Sequence, residues 1–248
     1  MRVRVEPVEM YELEFSKMPR IMAMVFKNEN IHVSSEKEIS DEELDLIGLE
    51  AEYYEKWKEI FRKLLKEEES RLDDVILDKI VEENARNFIS VFTPSVNMTY
   101  TVDLLEVNCF TSWARNMVNA DVKDDHFMEL LQPHMKKLTK IFSEEMGARI
   151  VSENNGEGFS FFANKHCKSS EYEGRYSLNF SCSFLQLAQS QKNRSLRYEI
   201  EVPLEKKEYY VPEIIRCIPS LKNEYLKDIK WINFPQAMLV NVNQKLPL

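Results

Sequence analysis

The sequence predicts an α+β fold, with long helices in the first half and strands mixed with short helices in the second. Apolar residues recur at helical spacing from Leu44 to Leu65 and from His126 to Met146. Polar and apolar residues alternate from Tyr176 to Cys182 and from Arg197 to Val202, as in strands with one buried face. Because helices and strands do not alternate regularly along the chain, the pattern favours α+β over a doubly wound parallel sheet.

Two short strands are predicted near the N-terminus, ahead of the first long helix. Residues 22–26 are apolar, and residues 31–33 alternate in polarity after a polar turn. Ser40 and the acidic residues 41–43 then predict a helix N-terminus. A side-chain oxygen there can cap the free N–H groups, and carboxylates favour the positive end of the helix dipole.

In the middle of the chain, the sequence predicts a second helix, then a break, and then a segment that fits either of two structures. The second helix covers Asp73 to Phe88, and residues 93–95 predict the break. Thr99 to Met117 is apolar on most sides, so either a long helix or a passage from strand to helix fits it. Pro133 lies inside the helix predicted from His126 to Met146, where it favours a kink or a split start.

The character of the sequence changes at a glycine-rich stretch, residues 154–158, which predicts a loop. Beyond it, helices are predicted from Phe184 to Lys192 and from Ser220 to Lys230. We therefore expect a half with N-terminal strands and helices, residues 1–146, and an α/β half, residues 147–248. The two halves are expected to interweave into one domain. No internal repeat is detectable in the sequence.

Composition limits the classes of function. The chain has 248 residues, of which 44% are hydrophobic, so it is long enough and apolar enough to bury a core. Its formal net charge is −9, which disfavours binding to a nucleic-acid backbone, because that requires clustered Lys and Arg. A local basic pocket can still hold the phosphate of a small nucleotide.

Targeting and metal-binding signals are not found in the sequence. The N-terminus lacks an apolar signal region, and no run of about 18 apolar residues predicts a membrane span. The four cysteines include no CxxC pair, and the four histidines lack the spacing of metal ligands. We therefore expect a cytoplasmic protein with reduced thiols, no membrane partner and no metal site.

A basic, amide-rich cluster runs from Gln189 to Arg194 and is followed by Arg197. Lys192, Asn193 and Arg194 beside glutamine amides are residue types that can bind a phosphate and hydrogen-bond a heterocycle. The alternative is a solvated, polar helix end, which is the commoner state of such a charge cluster.

Two further features allow either a structural or a ligand-binding role. Residues 169–174 combine hydroxyls, carboxylates and a glycine, which fit a helix cap or a ribose site. Arg86 belongs to a predicted helix face that is otherwise apolar, so its partner is either a carboxylate of the fold or an anionic ligand. No nucleophile elbow or glycine-rich phosphate loop is present in the sequence.

Several of these segments resemble flavin-dependent thymidylate synthases. The second half is similar to the family's hydroxyl-to-glutamate segment, the strand after it, the Gln-x-x-Arg-His-Arg motif and the tyrosine-proline turn, at residues 170–174, 180–184, 189–194 and 208–212. The first half resembles the family's helical half at Asn84-Ala85-Arg86, Thr101–Asp103, Leu105, Phe110 and Arg115. Together the matches extend over residues 45–146 and 147–230.

The resemblance implies a mixed or antiparallel sheet with long helices, in a homotetramer whose sites combine residues of several subunits. The implied reaction is reductive methylation of dUMP, with methylenetetrahydrofolate as carbon donor and FAD, reduced by NADPH, as hydride donor. Arg115 and Gln189 would be catalytic. The residues implied for dUMP are Arg86, Arg115, Gln189, Lys192 and Arg197, and those for FAD are Ser170, Glu173, Asn193, Arg194 and Asp103.

Departures from the family pattern define two alternatives. The halves stand in swapped order, as in a permuted copy or a portion of a tandem protein. Lys192 and Asn193 replace Arg and His, Asp103 replaces Asn, and Gly174 replaces His. The first alternative is a catalytically weakened or inactive subunit that binds nucleotide or flavin, or completes the site of a homologous partner chain. The second is an unrelated α+β interaction protein.

Overall fold

The computed structural model describes residues 10–19, 31–33, 41–68, 71–147, 176–190 and 197–246. Within these ranges the chain folds as α+β, mostly helical with small antiparallel sheets. No helix in the described ranges has the length and apolar character needed to span a bilayer. The predicted strand at residues 22–26 and the candidate segments 154–158 and 169–174 lie outside the described residues.

The predicted long helices are confirmed. Asp125 caps the second of them, since its carboxylate accepts a hydrogen bond from the Met128 N–H at 3.1 Å. That helix is continuous through the exposed Pro133, so the predicted split start is wrong. In chain order the α-helices are α1 Asp41–Glu68, α2 Asp74–Ala85, α3 Leu104–Asn119, α4 His126–Met146, α5 Phe184–Ser190, α6 Glu213–Arg216 and α7 Pro219–Ile229.

Each half of the chain contributes a three-stranded antiparallel sheet. The first sheet has β3, Pro94–Asp103, between β1, Met10–Pro19, and β2, Ile31–Val33. The β3 strand passes directly into α3, which confirms the strand-to-helix alternative. Because β3 already begins at Pro94, the break predicted at residues 93–95 is wrong where it overlaps this strand. β1 is not among the predicted strands, although apolar and charged residues alternate in it.

The second sheet has β6, Leu239–Leu246, between β4, Tyr176–Ser183, and β5, Arg197–Glu201. β4 and β5 were predicted from alternation, whereas β6 was not. Val240 and Val242 of β6 are buried and alternate with asparagines that face the opposite side of the sheet.

Two apolar clusters hold the described elements together, and each combines residues from before and after Gly147. We name them the helical core and the sheet core. The helical core consists of Trp57, Phe61, Leu77, Val81, Phe88, Ile215, Tyr225, Ile229 and Ala237. The sheet core includes Phe110, Trp113, Ala114, Phe127, Leu131, Phe142, Phe184, Leu187, Tyr198, Ile200, Phe234 and Val242.

Candidate functional site

Three of the ten predicted site residues have described side chains. Arg86 is exposed at the start of the 3₁₀ turn Arg86–Phe88, which follows α2. Arg115 is half-buried on α3, and Gln189 is exposed near the end of α5. In the part of the chain that the structure describes, no hydrogen bond or ion pair joins any two of these three side chains.

The other predicted site residues lie at strand ends or outside the described ranges. Arg197 opens β5 opposite Lys245, and Asp103 closes β3 opposite Met10; their side chains are not described. The remaining five, which lie outside the described residues, are Ser170, Glu173, Lys192, Asn193 and Arg194.

The exposure of Arg86 corrects one premise of the sequence analysis. α2 buries Leu77, Val81 and Ala85, and Arg86 follows them on the solvent side. Water can solvate its guanidinium, so a carboxylate or ligand partner is not required by burial. Burial, together with the charge of Glu82, raises the pKa of Tyr54, while the nearby cations Lys58 and Arg86 oppose that shift.

Arg115 and Gln189 lie beside the same core. Ala114 and Leu187, their neighbours on α3 and α5, are both fully buried in the sheet core. α3 follows β3 directly and α5 follows β4 directly, so both residues occupy helices that begin where a strand ends. Arg115 has no hydrogen-bond or ion-pair partner among the described residues, which leaves its guanidinium available to an anionic ligand.

A groove of about 1200 Å³ opens over the second sheet. Its floor includes a hydrogen-bonded row of three side chains, one from each strand. The Ser181 hydroxyl donates to Asn241 Oδ1 at 3.0 Å, and Asn241 Nδ2 donates to Glu201 Oε2 at 3.4 Å. Asn179 and Asn243, which are partners in the register, add two more amides.

The walls of this groove are acidic. Asp124 and Asp125 precede α4 on one side, and Glu205 lies after β5 on the other. Among the described residues that line the groove, Lys206 is the single basic one, and it already pairs with Glu208 at 2.7 Å. The described part of the lining therefore disfavours a phosphate, and the described site residues Arg86, Arg115 and Gln189 are not part of it.

The groove residues were not among the candidates from sequence. A signal for them exists, because Asn179 and Ser181 on β4, and Asn241 and Asn243 on β6, occupy alternate positions on their strands. In the described ranges, no cluster of three or more His, Cys, Asp or Glu side chains is arranged to hold a metal ion.

Comparisons with known proteins give no relative for this chain. No protein-family model, curated protein or solved structure matches it. The resemblance to flavin-dependent thymidylate synthases therefore depends on the residues and motifs quoted above.

Proposed function

We propose that the protein is a flavin-dependent thymidylate synthase-like enzyme that methylates dUMP reductively, with methylenetetrahydrofolate as carbon donor and NADPH as reductant. The principal support is the position of Arg115 and Gln189. Each lies on a helix that begins directly at a strand end, and both helices pack into the sheet core. Arg115 and Gln189, which come from different halves of the chain, thus flank one part of the fold.

The described residues fit an anionic nucleotide at Arg115. A half-buried guanidinium with no partner among the described residues can pair with a phosphate or with a pyrimidine oxygen, and partial burial strengthens such a pair. FAD would supply the hydride chemistry when bound, so the protein needs no nucleophile of its own. The protein's part is to orient and polarise the pyrimidine, which is the role that we assign to Arg115 and Gln189.

The proposal includes a homo-oligomer in which one site draws on several copies. Arg86 belongs to the segment that ends in Phe88 of the helical core, whereas Arg115 and Gln189 border the sheet core. A ligand that contacts all three residues is more readily explained by sites shared between copies.

A second candidate function is a binding subunit with weakened or lost catalysis. Asn193 stands where the family has histidine, and an amide neither ionises nor stacks on a flavin as imidazole does. Lys192 keeps the positive charge of the family's arginine but lacks its planar fork. These residues favour ligand binding without turnover.

The test begins with the absorbance of the purified chain and its titration with FAD and dUMP. We expect a flavin band at about 450 nm and conversion of dUMP to dTMP when methylenetetrahydrofolate and NADPH are supplied. Arg194→Ala should abolish flavin binding. Arg115→Ala should weaken dUMP binding by roughly 10- to 100-fold, since a charged hydrogen bond is worth about 1.5–3 kcal/mol.

The matched control is Arg71→Ala, which removes the same charge from an exposed position and should leave dUMP affinity unchanged. Binding of FAD and dUMP without dTMP formation would support the second candidate. A colourless chain that takes up neither ligand would overturn both.

A further inference from the structure

Two segments of the chain repeat the same order of helix, turn and central strand. We name them the first unit, residues 74–103, and the second unit, residues 219–246. Each begins with a helix of 12 or 11 residues, α2 or α7, and ends with the central strand of its sheet, β3 or β6. In both sheets the two edge strands precede the unit in sequence, so the strand orders are equivalent.

The two units agree in register without a gap. In the second unit, the start of the helix, the bridged residue of the turn and the start of the strand each lie 145 residues after the same feature of the first unit. The equivalent pairs are Asp74 with Pro219, Ser90 with Pro235, and Pro94 with Leu239.

The turns of the two units also have the same internal hydrogen bond. Thr93 N–H donates to the Ser90 carbonyl at 3.3 Å, and Met238 N–H donates to the Pro235 carbonyl at 2.8 Å. Both donors lie three residues after the acceptor and directly before the central strand of the sheet. The two turns therefore share this hydrogen bond, although the residue before each turn differs in conformation, with a φ of −92° at Ile89 and 48° at Phe234.

The units face each other through these turns. Ser90 and Pro235, which are equivalent positions, form an antiparallel bridge. Around it, Val91 N–H donates to the Phe234 carbonyl at 3.0 Å, and Gln236 N–H donates to the Ile89 carbonyl at 2.9 Å. If each residue is replaced by its equivalent in the other unit, one of these hydrogen bonds becomes the other, as a two-fold axis through the bridge requires.

Every antiparallel bridge has a local two-fold axis, and the helical core shows that the two units also pack together beyond this bridge. Leu77, Val81 and Phe88 come from the first unit, and they pack with Tyr225, Ile229 and Ala237 from the second. The rings of Phe88 and Tyr225 meet edge to face, with centroids 5.0 Å apart.

We infer that the chain is an internal pseudo-dimer of one helix–turn–strand unit, related by an approximate two-fold axis between Ser90 and Pro235. The face formed by each turn is then a self-complementary interaction surface, and the partner that fits it is a second copy of the same unit. The inference concerns the fold's own interface and is independent of the proposed function.

Spin-label distances test the axis in the full-length chain. Val75 and Ser220 are equivalent exposed positions, and so are Arg86 and Trp231. A two-fold axis makes the Val75–Trp231 distance equal to the Arg86–Ser220 distance. We expect cysteine-attached labels at the two pairs, with Cys109, Cys167 and Cys217 replaced, to give mean distances that agree within about 5 Å, one helical turn.

Mean distances that differ by more than about one helical turn would overturn the axis. All four positions are exposed, so the substitutions should leave the fold intact. The interface is tested separately by inserting a protease site directly after Gly147 and cleaving the folded chain. We expect the two fragments to co-elute as one species, and their separation under native conditions would overturn the interaction surface.

Discussion

The turns of the first and second units have the same backbone hydrogen bond but are fixed by different chemistry. In the first unit, the buried carboxylate of Glu50 on α1 accepts the Ser90 N–H at 3.1 Å. The Thr93 hydroxyl lies 2.7 and 2.8 Å from the two Glu50 oxygens. A single carboxylate therefore satisfies polar groups at both ends of the turn.

The second unit fixes its turn by aromatic packing. Pro235 has no N–H to offer a carboxylate, and Phe234 before it is fully buried with a positive φ of 48°. A bulky residue adopts that conformation only where its surroundings enforce it. Phe92 and Phe127 meet the Phe234 ring at 5.6 and 5.2 Å, and the Lys207 ammonium lies 4.8 Å from its centroid.

The difference explains why the repeat is not detectable in the sequence. Backbone geometry can be held either by hydrogen bonds to a distant carboxylate or by contacts of a buried ring, and these need unrelated residues. The exposed positions diverge as well, since Arg86 in the first unit corresponds to Trp231 in the second. The shared features are the order of the elements and the backbone hydrogen bonds around the bridge.

The largest effect is expected at the aromatic turn. Phe234→Ala should lower the free energy of unfolding by about 3–5 kcal/mol, because it removes a buried ring and leaves a cavity. Urea denaturation measures this change. Trp231→Ala, at the 67% exposed neighbouring position, is the control and should change stability by less than about 0.5 kcal/mol. Equal losses for both variants would refute the account of the second turn.

A smaller effect is expected at the polar turn. Glu50→Ala should cost about 2–3 kcal/mol, because the buried Ser90 N–H and Thr93 hydroxyl lose their acceptor. Glu52→Ala, which removes an exposed carboxylate from the same helix, should be nearly neutral by the same denaturation experiment. If Glu50→Ala is as mild as Glu52→Ala, the turn does not depend on its carboxylate.

The smallest effect is expected at the ion pairs that join Lys56 of α1 to Asp228 and Glu224 of the second unit. Lys56 Nζ contacts Asp228 at 2.6 Å and Glu224 at 2.7 Å, and Trp57 Nε1 donates to the same Asp228 oxygen at 3.0 Å. Partial burial alone would lower the pKa of Lys56, but the combined hydrogen bonds and charges of Asp228 and Glu224 raise it. Because Lys56 is partly exposed, Lys56→Met should cost only about 1 kcal/mol at pH 7.

The pH dependence of that cost follows from the raised pKa. A cation with a raised folded-state pKa stabilises the fold fully below its unfolded pKa of about 10.4, and this contribution is lost as pH rises through the folded value. The stability difference between wild type and Lys56→Met should therefore shrink above pH about 10.4. Burial also raises the pKa of Cys182 to about 11, but that thiol is common to both proteins and cancels.

Denaturation curves at neutral and high pH for both proteins provide the measurement. Lys58→Met is the control, because the Lys58 ammonium contacts the exposed Glu55 at 3.6 Å and lies 5.6 Å from the centroid of the Tyr54 ring, and neither of these partners is a buried carboxylate. A difference for Lys56→Met that stays constant through high pH would show that the pair contributes by packing and not by charge.

The sequence by itself determined the long helices and the strands with clear alternation. α4 begins and ends at the predicted residues, and β4 extends only one residue beyond its prediction. These signals are local, because periodic burial of side chains is specified by neighbours a few residues away. The alternation of polar and apolar residues in β6 was a signal of the same kind.

Only the tertiary structure decided how distant segments meet. It placed Arg86 in solvent, put Arg115 and Gln189 beside the sheet core, and joined the two units at Ser90 and Pro235. Glu50 reaches Ser90 across 40 residues of chain, and Trp57 reaches Asp228 across 171. Such contacts depend on the packing of whole elements, and the periodicity of a short segment carries no information about them.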